Sequence, residues 1–231
     1  MRYITGFLLL ALSLTGCVKG SGNVVTRQCD VSDFQRIELH GLGAIIITQG
    51  DHESLVIEAE DNIIERVHAR VEGDELIIGM KRKLFVRPTK PIVYHVTVRE
   101  INRIAVLGAG EIEATTPLRV PHLELRVAGA GEIDLEVDTD SLSLKVAGAG
   151  DLWLRGRADV FMIEIAGAGE VEAFELQTRS TVIEAAGAAE IEVSVSESLS
   201  LVASGACEVR YRGDARIIKQ EVSGASSITR L

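Results

Sequence analysis

Six acidic residues recur at an almost constant spacing in the second half of the chain, each directly after a short phrase of small residues. The phrases read Gly-Ala followed by Gly, Ala or Cys, and their first glycines lie 18 to 21 residues apart. Carboxylates are oxygen ligands suited to Ca²⁺, so one interpretation is a row of divalent cations. The interpretation that we prefer is a solvated row whose carboxylates accept free amide N–H groups of the glycine turns. The six residues are Glu111, Glu132, Asp151, Glu170, Glu190 and Glu208.

The second turn of each repeat argues against calcium. A calcium-binding β-roll carries Gly-Gly-x-Gly-x-Asp at both turns of each coil. Here the second turns read Glu-Val-Asp-Thr-Asp-Ser at 136–141 and Glu-Leu-Gln-Thr-Arg-Ser at 175–180. The five histidines of the chain also lack the spacing of metal ligands. We therefore predict neither a metal site nor a cofactor.

A second outward column contains the only tryptophan of the chain. Alternation along the strand turns Leu152 and Leu154 inward, so the side chain of Trp153 points outward. An exposed Trp between carboxylates can stack on a sugar ring, but it can also cover a neighbouring side chain or meet another subunit. We predict a contact for a glycan or an envelope protein at this column. The residues of this contact are Trp153, Glu172, Glu192 and Arg210.

The sequence contains no motif typical of a catalytic site. A nucleophile elbow, a zincin helix, a phosphate loop and a dinucleotide fingerprint are all missing. Polysaccharide-cleaving β-helices gather acidic, basic and tyrosine side chains on one outer sheet. Only Glu192, Arg210 and Tyr211 resemble such a group, and alternation turns Tyr211 inward. We predict that the chain is not an enzyme.

The repeats also predict the elements that position these columns. In residues 141–160, apolar and polar residues alternate on both sides of a Gly-Ala-Gly turn, which indicates strand, turn and strand. Two such strands bury little alone, but stacking equivalent strands about 4.8 Å apart makes a continuous core. Small residues at the turn leave room for identical corners to stack. We predict an all-β fold, a single-stranded, right-handed parallel β-helix of two sheets with coils of about 19 residues.

The first residues predict export. A short hydrophobic run is typical of a signal peptide, and the Leu-Thr-Gly-Cys at its end, residues 14–17, resembles the lipobox of bacterial lipoproteins. We predict that residues 1–16 are removed, that Cys17 carries the lipid anchor, and that residues 17–23 form a flexible tether. Val18 in place of an Asp favours the outer membrane, on its periplasmic or surface face.

The charge of the chain excludes one class of partner. Thirty-four acidic residues against 24 basic ones give a net charge of -10. Such a surface argues against nucleic acid and against broad electrostatic adhesion to anionic lipid. The predicted partners are the membrane, reached through the lipid on Cys17, and a glycan or an envelope protein. Oligomers could also form through the end strands.

Ordered phrases along the chain resemble a known family. We interpret residues 24–100 as longer, less regular opening coils, which include an outlying copy of the repeat at 40–47, and residues 101–231 as regular coils. Together these phrases are similar to the family called Putative auto-transporter adhesin, head GIN domain. The phrases are Gly22-Asn-Val-Val, Val31-Ser-Asp-Phe-Gln-Arg-Ile-Glu-Leu, Ile47-Thr-Gln-Gly-Asp, Leu55-Val-Ile-Glu-Ala-Glu-Asp-Asn, Gly73-Asp-Glu-Leu-Ile-Ile-Gly and the Gly-Ala-Gly-Glu-Ile repeats.

The resemblance covers residues 24–231 and implies an exported, β-helical, non-catalytic domain. We therefore predict a lipid-anchored cell-envelope protein that serves as an adhesin-like interaction scaffold for an unknown ligand. Two alternatives stay open. One is a carbohydrate-active β-helix that binds or cleaves polysaccharide, and the other is a structural lipoprotein that self-assembles through its end strands.

Overall fold

The computed structural model describes residues 18–80 and 86–231. The predicted signal peptide and Cys17 therefore lie outside the described residues. Strands dominate the described part, which confirms the all-β class, and no helix in it is long and apolar enough to cross a membrane. The elements in chain order are β1 (Val18–Lys19), β2 (Val24–Cys29), β3 (Arg36–Gln49), β4 (Ser54–Glu60), α1 (Asp61–Ile64), β5 (Val67–Glu72), β6 (Glu75–Met80), β7 (Val86–Arg87), β8 (Val93–Val98), β9 (Arg103–Ala114), β10 (Leu118–Arg119), β11 (His122–Gly205), β12 (Glu208–Arg212), β13 (Arg216–Gly224) and β14 (Ser227–Arg230).

The repeats pair in register as parallel strands. β9 pairs with residues 124–134 of β11, and Gly108 lies opposite Gly129 in that ladder. On its other side β9 pairs with β3, where Gly41 lies opposite Gly108. The outlying copy of the repeat at 40–47 therefore belongs to the same ladder, and we call each copy in this stack a rung. Beyond β11, the strands β12, β13 and β14 continue the ladder in parallel.

The first glycine of each phrase forms a corner at which successive rungs almost touch. Gly148 has a φ of +132°, and a Cβ atom on it would lie 2.3 Å from the carbonyl oxygen of Gly129. Gly167 stands over Gly148 in the same way, and Gly187 stands over Gly167. Only glycine combines this backbone conformation with the absence of a side chain. The predicted reason for the small residues, the close stacking of identical corners, agrees with this geometry.

The sheet is mixed, which differs from the purely parallel pairing predicted for residues 24–231. β2 pairs antiparallel with β4, β4 with β8, and β5 with β6. Only Gly73 and Asp74 join β5 to β6, and a two-residue connection makes an antiparallel hairpin because a parallel one needs about a dozen residues or more. The antiparallel pairs lie in the opening region. The larger sheet runs in the order β14-β12-β11-β9-β3-β8-β4-β2.

Alternating side chains of the ladder form the core. Leu142, Leu144 and Val146 before one corner, and Leu152 and Leu154 after it, are no more than 2% exposed. The inward and outward positions predicted for this rung are therefore confirmed. The residues between them point away from the core and build the outer face that carries the acids.

Candidate functional site

The acids predicted from the repeats lie in one column on the outer face of the ladder. Glu111 lies opposite Glu132, and Glu190 lies opposite Glu208, in parallel pairs. The stacked corners place the two acids between these pairs in the same column. Because neighbouring strands lie about 4.8 Å apart, adjacent carboxylates repel each other.

Three acids of this column line a groove. Glu111, Glu132 and Asp151 share a groove of about 560 Å³ with Lys90 and Pro91. Within residues 18–80 and 86–231, no group of three or more His, Cys, Asp or Glu side chains is arranged to hold a metal ion. The acids of the column follow one another along the ladder, one on each rung.

The guanidinium of Arg210 bridges three acids on neighbouring rungs. Its Nε donates to Oε1 of Glu192 at 2.9 Å, and its Nη1 donates to Oε1 of Glu208 at 3.0 Å. Its Nη2 donates to Glu190. One cation therefore offsets the repulsion among three carboxylates. Arg210, predicted above as a ligand contact, directs its donors to these carboxylates of the protein itself.

Trp153 is half-buried and lies between two clefts of the outer face. On one side it lines a cleft of about 320 Å³ together with Glu172 and Glu192, which we call the Trp153 cleft. On the other side it lines a smaller cleft of about 120 Å³ among further acids. Three of the four predicted contact residues are therefore brought together. The fourth, Arg210, reaches the Trp153 cleft only through its hydrogen bond to Glu192.

The Trp153 cleft also contains residues that no sequence motif marks, among them Phe174 and Arg212. The Cζ of Arg212 lies 4.0 Å from the centroid of the Phe174 ring, which is a cation–π contact. Alternation is the signal that could have found them, because each follows an outward residue of the second column by two positions. The Trp153 cleft thus combines two aromatic rings, carboxylates and the guanidinium groups of Arg155 and Arg212.

Glu192 titrates differently from a free glutamate. Burial is the main cause, and it raises the pKa of Glu192 above its ordinary value. The charge of Glu172 raises this pKa further, and Glu170 and Glu208 add to the effect, whereas Arg212 lowers it. The ionised form of Glu192 is therefore less favourable in the folded chain than in the unfolded chain.

Glu192→Gln is expected to raise the free energy of unfolding at about pH 7 by a few tenths of a kcal/mol, at most about 1 kcal/mol. A carboxyl group with a raised pKa makes the folded state bind more protons than the unfolded state. The free energy of unfolding therefore falls as the pH rises from the ordinary pKa of glutamate, about 4.3, through the raised pKa of the folded chain. The amide removes that fall while its oxygen can still accept the bond from Arg210. At about pH 4, where the carboxyl group is largely protonated, the gain should vanish.

Urea unfolding at both pH values measures this effect. Glu136→Gln, an exposed position of the same ladder outside the Trp153 cleft, serves as the matched control because it removes a carboxylate without changing that cleft. A Glu192→Gln variant that is less stable than the parent only at neutral pH would contradict the assignment, because it would mean that the charge stabilises the folded chain.

The chain matches the family described as Putative auto-transporter adhesin, head GIN domain, over residues 33–215. No curated protein matches the chain at a significant level.

Several crystal structures have a similar fold. A putative adhesin from Bacteroides fragilis NCTC 9343 is 24% identical with a TM-score of 0.84, and the alignment covers 93% of this chain and all of that one. A putative lipid binding protein from Parabacteroides distasonis ATCC 8503 is 23% identical with a TM-score of 0.73, and the alignment covers 94% of this chain and 100% of that one. A putative adhesin from Parabacteroides merdae ATCC 43184 is 18% identical with a TM-score of 0.67, and the alignment covers 93% of this chain and 99% of that one.

At these identities the similarity to solved structures concerns the fold. The family match is different in kind, because it is made on the sequence and spans most of its length. The phrases at 31–39, 47–51, 55–62 and 73–79 and the repeats that follow lie within it, apart from residues 31 and 32 and a final, degenerate copy of the repeat, Ser-Gly-Ala-Ser at 223–226. The chain therefore belongs to the family Putative auto-transporter adhesin, head GIN domain.

Proposed function

We propose that this chain is a lipid-anchored cell-envelope protein whose ladder serves as a rigid, non-catalytic scaffold for an adhesin-like interaction. Membership of the adhesin family supports a role at the cell envelope or surface. The observation that carries the proposal is the Trp153 cleft, an aromatic and charged hollow on a β face. The lipid would be attached at Cys17 and the protein exported to the outer membrane, on its periplasmic or surface face.

The scaffold of this proposal is a right-handed parallel β-helix of two sheets that starts at β3, with coils of about 19 residues. In-register parallel pairs between β3, β9, β11 and β12 support it. The stacked corners also support it, since they hold equivalent residues of successive rungs over one another. Such a ladder keeps outward side chains at fixed intervals, which suits recognition by a preformed surface.

The ligand class that fits the Trp153 cleft best is a glycan. The indole of Trp153 can stack on the apolar face of a sugar ring, while Glu172 and Glu192 accept hydrogen bonds from hydroxyl groups. The guanidinium of Arg212 supplies donors at the same place. One protein with a similar fold is described as lipid binding. The charged lining of the Trp153 cleft favours a hydroxylated ring over an acyl chain, because burying these groups against hydrocarbon is costly.

Cleavage of a glycan is the second candidate function, and one observation favours it. Glu192, whose pKa is raised, shares the Trp153 cleft with Glu172, and a pair of carboxyl groups can act as general acid and base. The grouping suggested by the sequence does not form, because Tyr211 is buried and Arg210 is engaged by carboxylates. We therefore favour binding without turnover.

A glycan-binding screen of the full chain in detergent tests the proposal. Trp153→Ala is expected to lower the affinity for a captured glycan tenfold or more, about 1.4 kcal/mol, because the stacking surface is lost. Met162→Ala is the matched control, since Met162 is a large hydrophobic residue, 43% exposed, that does not line the Trp153 cleft. Its affinity should equal that of the parent.

Analysis of the glycan after incubation separates binding from cleavage. The proposal expects the captured glycan to be recovered intact. Fragments that appear with the parent chain and disappear with Glu192→Gln would establish the enzymatic alternative. Equal affinity of the parent and Trp153→Ala would exclude the Trp153 cleft as the binding site.

A further inference from the structure

The residues that follow Cys17 are bound to the folded domain. In the short strand β1, Val18 pairs with Val86 and Lys19 pairs with Arg87, in parallel. The amide of Gly20 then donates to the carbonyl oxygen of Arg87 at 3.0 Å. We call residues 18–23 the mount.

A buried carboxylate fixes the middle of the mount. Glu60, at the end of β4, is 1% exposed and accepts hydrogen bonds from the amide of Gly22 at 2.6 Å and the amide of Thr89 at 2.9 Å. The hydroxyl of Thr89 donates to it at 2.5 Å. Burial acts to raise the pKa of Glu60, but the bonds from Thr89, Gly22 and the amide of Lys90 outweigh it and hold the pKa below its ordinary value. One ionised side chain therefore joins the mount, β4 and the loop after β7.

The first turn of α1 binds the rest of the mount. The carboxylate of Asp61 accepts from the hydroxyl of Ser21 at 2.5 Å and from the side-chain amide of Asn23 at 3.0 Å. The side chain of Asn62 accepts from the amide of Ser21 at 3.1 Å and donates to the carbonyl oxygen of Lys19 at 2.8 Å. Both ends and the middle of the mount are therefore held by hydrogen bonds.

The mount lies at one end of the larger sheet. It leads directly into β2, which is the last strand at that end of the sheet order, whereas β14 is the last strand at the other end. A chain leaving the mount toward Cys17 thus starts from the β2 end. The distance from the Gly41 corner to the Gly224 corner is seven rung spacings, about 34 Å at about 4.8 Å each.

Three exposed cations lie on or next to the segments that hold the mount, namely Lys19 in β1, Arg87 in β7 and Lys90, whose amide bonds to Glu60 and which also lines the groove of Glu111. Lys19, Arg87 and Lys90 are exposed, and none of them has an ion-pair partner within the described ranges 18–80 and 86–231. The rest of the outer face carries the column of acids and the chain has a net charge of -10, so an anionic surface repels most of the molecule. An anionic surface would be attracted where these three cations lie, next to the mount.

We propose that the mount holds the protein upright on its β2 end and that Lys19, Arg87 and Lys90 contact anionic lipid headgroups of the membrane. The inference rests on the lipid anchor at Cys17 proposed above. Because the mount is bound on both sides, the domain cannot swing freely about the anchor. The Trp153 cleft, three rungs beyond the Gly41 corner, is then held clear of the bilayer surface.

Amide hydrogen exchange of the lipidated chain tests the headgroup contact. The chain is reconstituted in vesicles of phosphatidylcholine, alone or mixed with phosphatidylglycerol. We expect the anionic lipid to slow exchange in the mount and in residues 86–90 by about threefold or more, and to leave β13 unchanged. The triple variant Lys19→Gln, Arg87→Gln, Lys90→Gln should lose this added protection. The matched control, Arg216→Gln with Lys219→Gln at the opposite end of the sheet, should keep it.

The mount itself is tested with Glu60→Gln. This variant loses the charge that Gly22 and Thr89 bond to, so exchange in the mount should become faster while the ladder at 142–165 stays protected. Glu58→Gln, on the same strand β4 and partly exposed, is the matched control and should leave the mount protected. Rapid exchange of the mount in the parent chain, or equal exchange in both kinds of vesicle, would overturn the proposal.

Flotation of the parent chain with phosphatidylcholine vesicles distinguishes failure of the inference from failure of the anchor. If the chain floats but shows no added protection with phosphatidylglycerol, the anchor stands and the headgroup contact is wrong. If the chain does not float, the anchor at Cys17 is wrong and the inference falls with it.

Discussion

Gly148→Ala is expected to lower the free energy of unfolding by about 3 kcal/mol or more. The backbone of Gly148 has a φ of +132°, which an L-residue rarely adopts, and the added Cβ would lie 2.3 Å from the carbonyl oxygen of Gly129. That oxygen belongs to the backbone of the neighbouring rung and cannot move without disturbing the rung beyond it. Denaturant unfolding of the purified variant measures the loss.

Two other glycines separate the causes of this loss. Gly73 has a φ of +66° with no atom within 4 Å of the added Cβ, so Gly73→Ala should cost only the backbone strain, about 1 kcal/mol. Gly150 has no positive φ, and its Cβ would lie 3.3 Å from the carbonyl oxygen of Gly131, so Gly150→Ala should cost less than about 1.5 kcal/mol. If Gly148→Ala were no worse than Gly73→Ala, close stacking of corners would not be what selects glycine.

Phe161→Ala is expected to lower the free energy of unfolding by about 3 to 5 kcal/mol. Phe161 is fully buried and is among the largest side chains in a core made mostly of aliphatic residues. Removing the ring forfeits the free energy gained by burying it and leaves a cavity. Neighbouring rungs fill this cavity only in part, because each strand is fixed by pairing on both sides. Urea unfolding at about pH 7 provides the measurement.

The next residue supplies the control for this substitution. Met162 points outward and is 43% exposed, so Met162→Ala should change the free energy of unfolding by less than about 0.5 kcal/mol. Comparable losses in the two variants would mean that the alternation of inward and outward residues is assigned to the wrong face at this rung.

The ladder was predictable because its signals are local and repeated. Alternation on both sides of each corner identifies the buried residues from a window of about ten residues, as for Leu144 and Leu152. The spacing of the phrases then sets which residues of successive rungs face one another, as for Glu111 and Glu132. Neither step requires knowledge of contacts between distant parts of the chain.

The opening region was less predictable because its strands do not repeat. Whether β4 pairs with β2 and β8 in antiparallel fashion depends on contacts between residues 26 to 43 positions apart, and no period marks them. The Gly and Ser residues of the mount indicate a flexible segment by composition. It donates hydrogen bonds to the carboxylates of Glu60 and Asp61, which no local pattern connects to it.

Within the candidate site, the column positions were predictable but the side-chain pairing was not. Alternation turns Arg210 and Arg212 outward, yet it does not decide what a long guanidinium side chain reaches. Arg210 bonds to acids 18 and 20 residues away, and Arg212 covers the ring of Phe174. The approach of Arg210 to the acids follows from the repulsion within their column, a property of the assembled rungs rather than of any one of them.

Because the corners are alike, the number of rungs can change without altering the contact between neighbouring rungs. Gly129, Gly148 and Gly167 each meet the rung before them through the same contact, a glycine over a carbonyl oxygen. A repeat duplicated or deleted between two such corners would recreate the same contact on either side. The separation between the two ends of the sheet can therefore change in whole steps of about 5 Å while the outward chemistry at each end is kept.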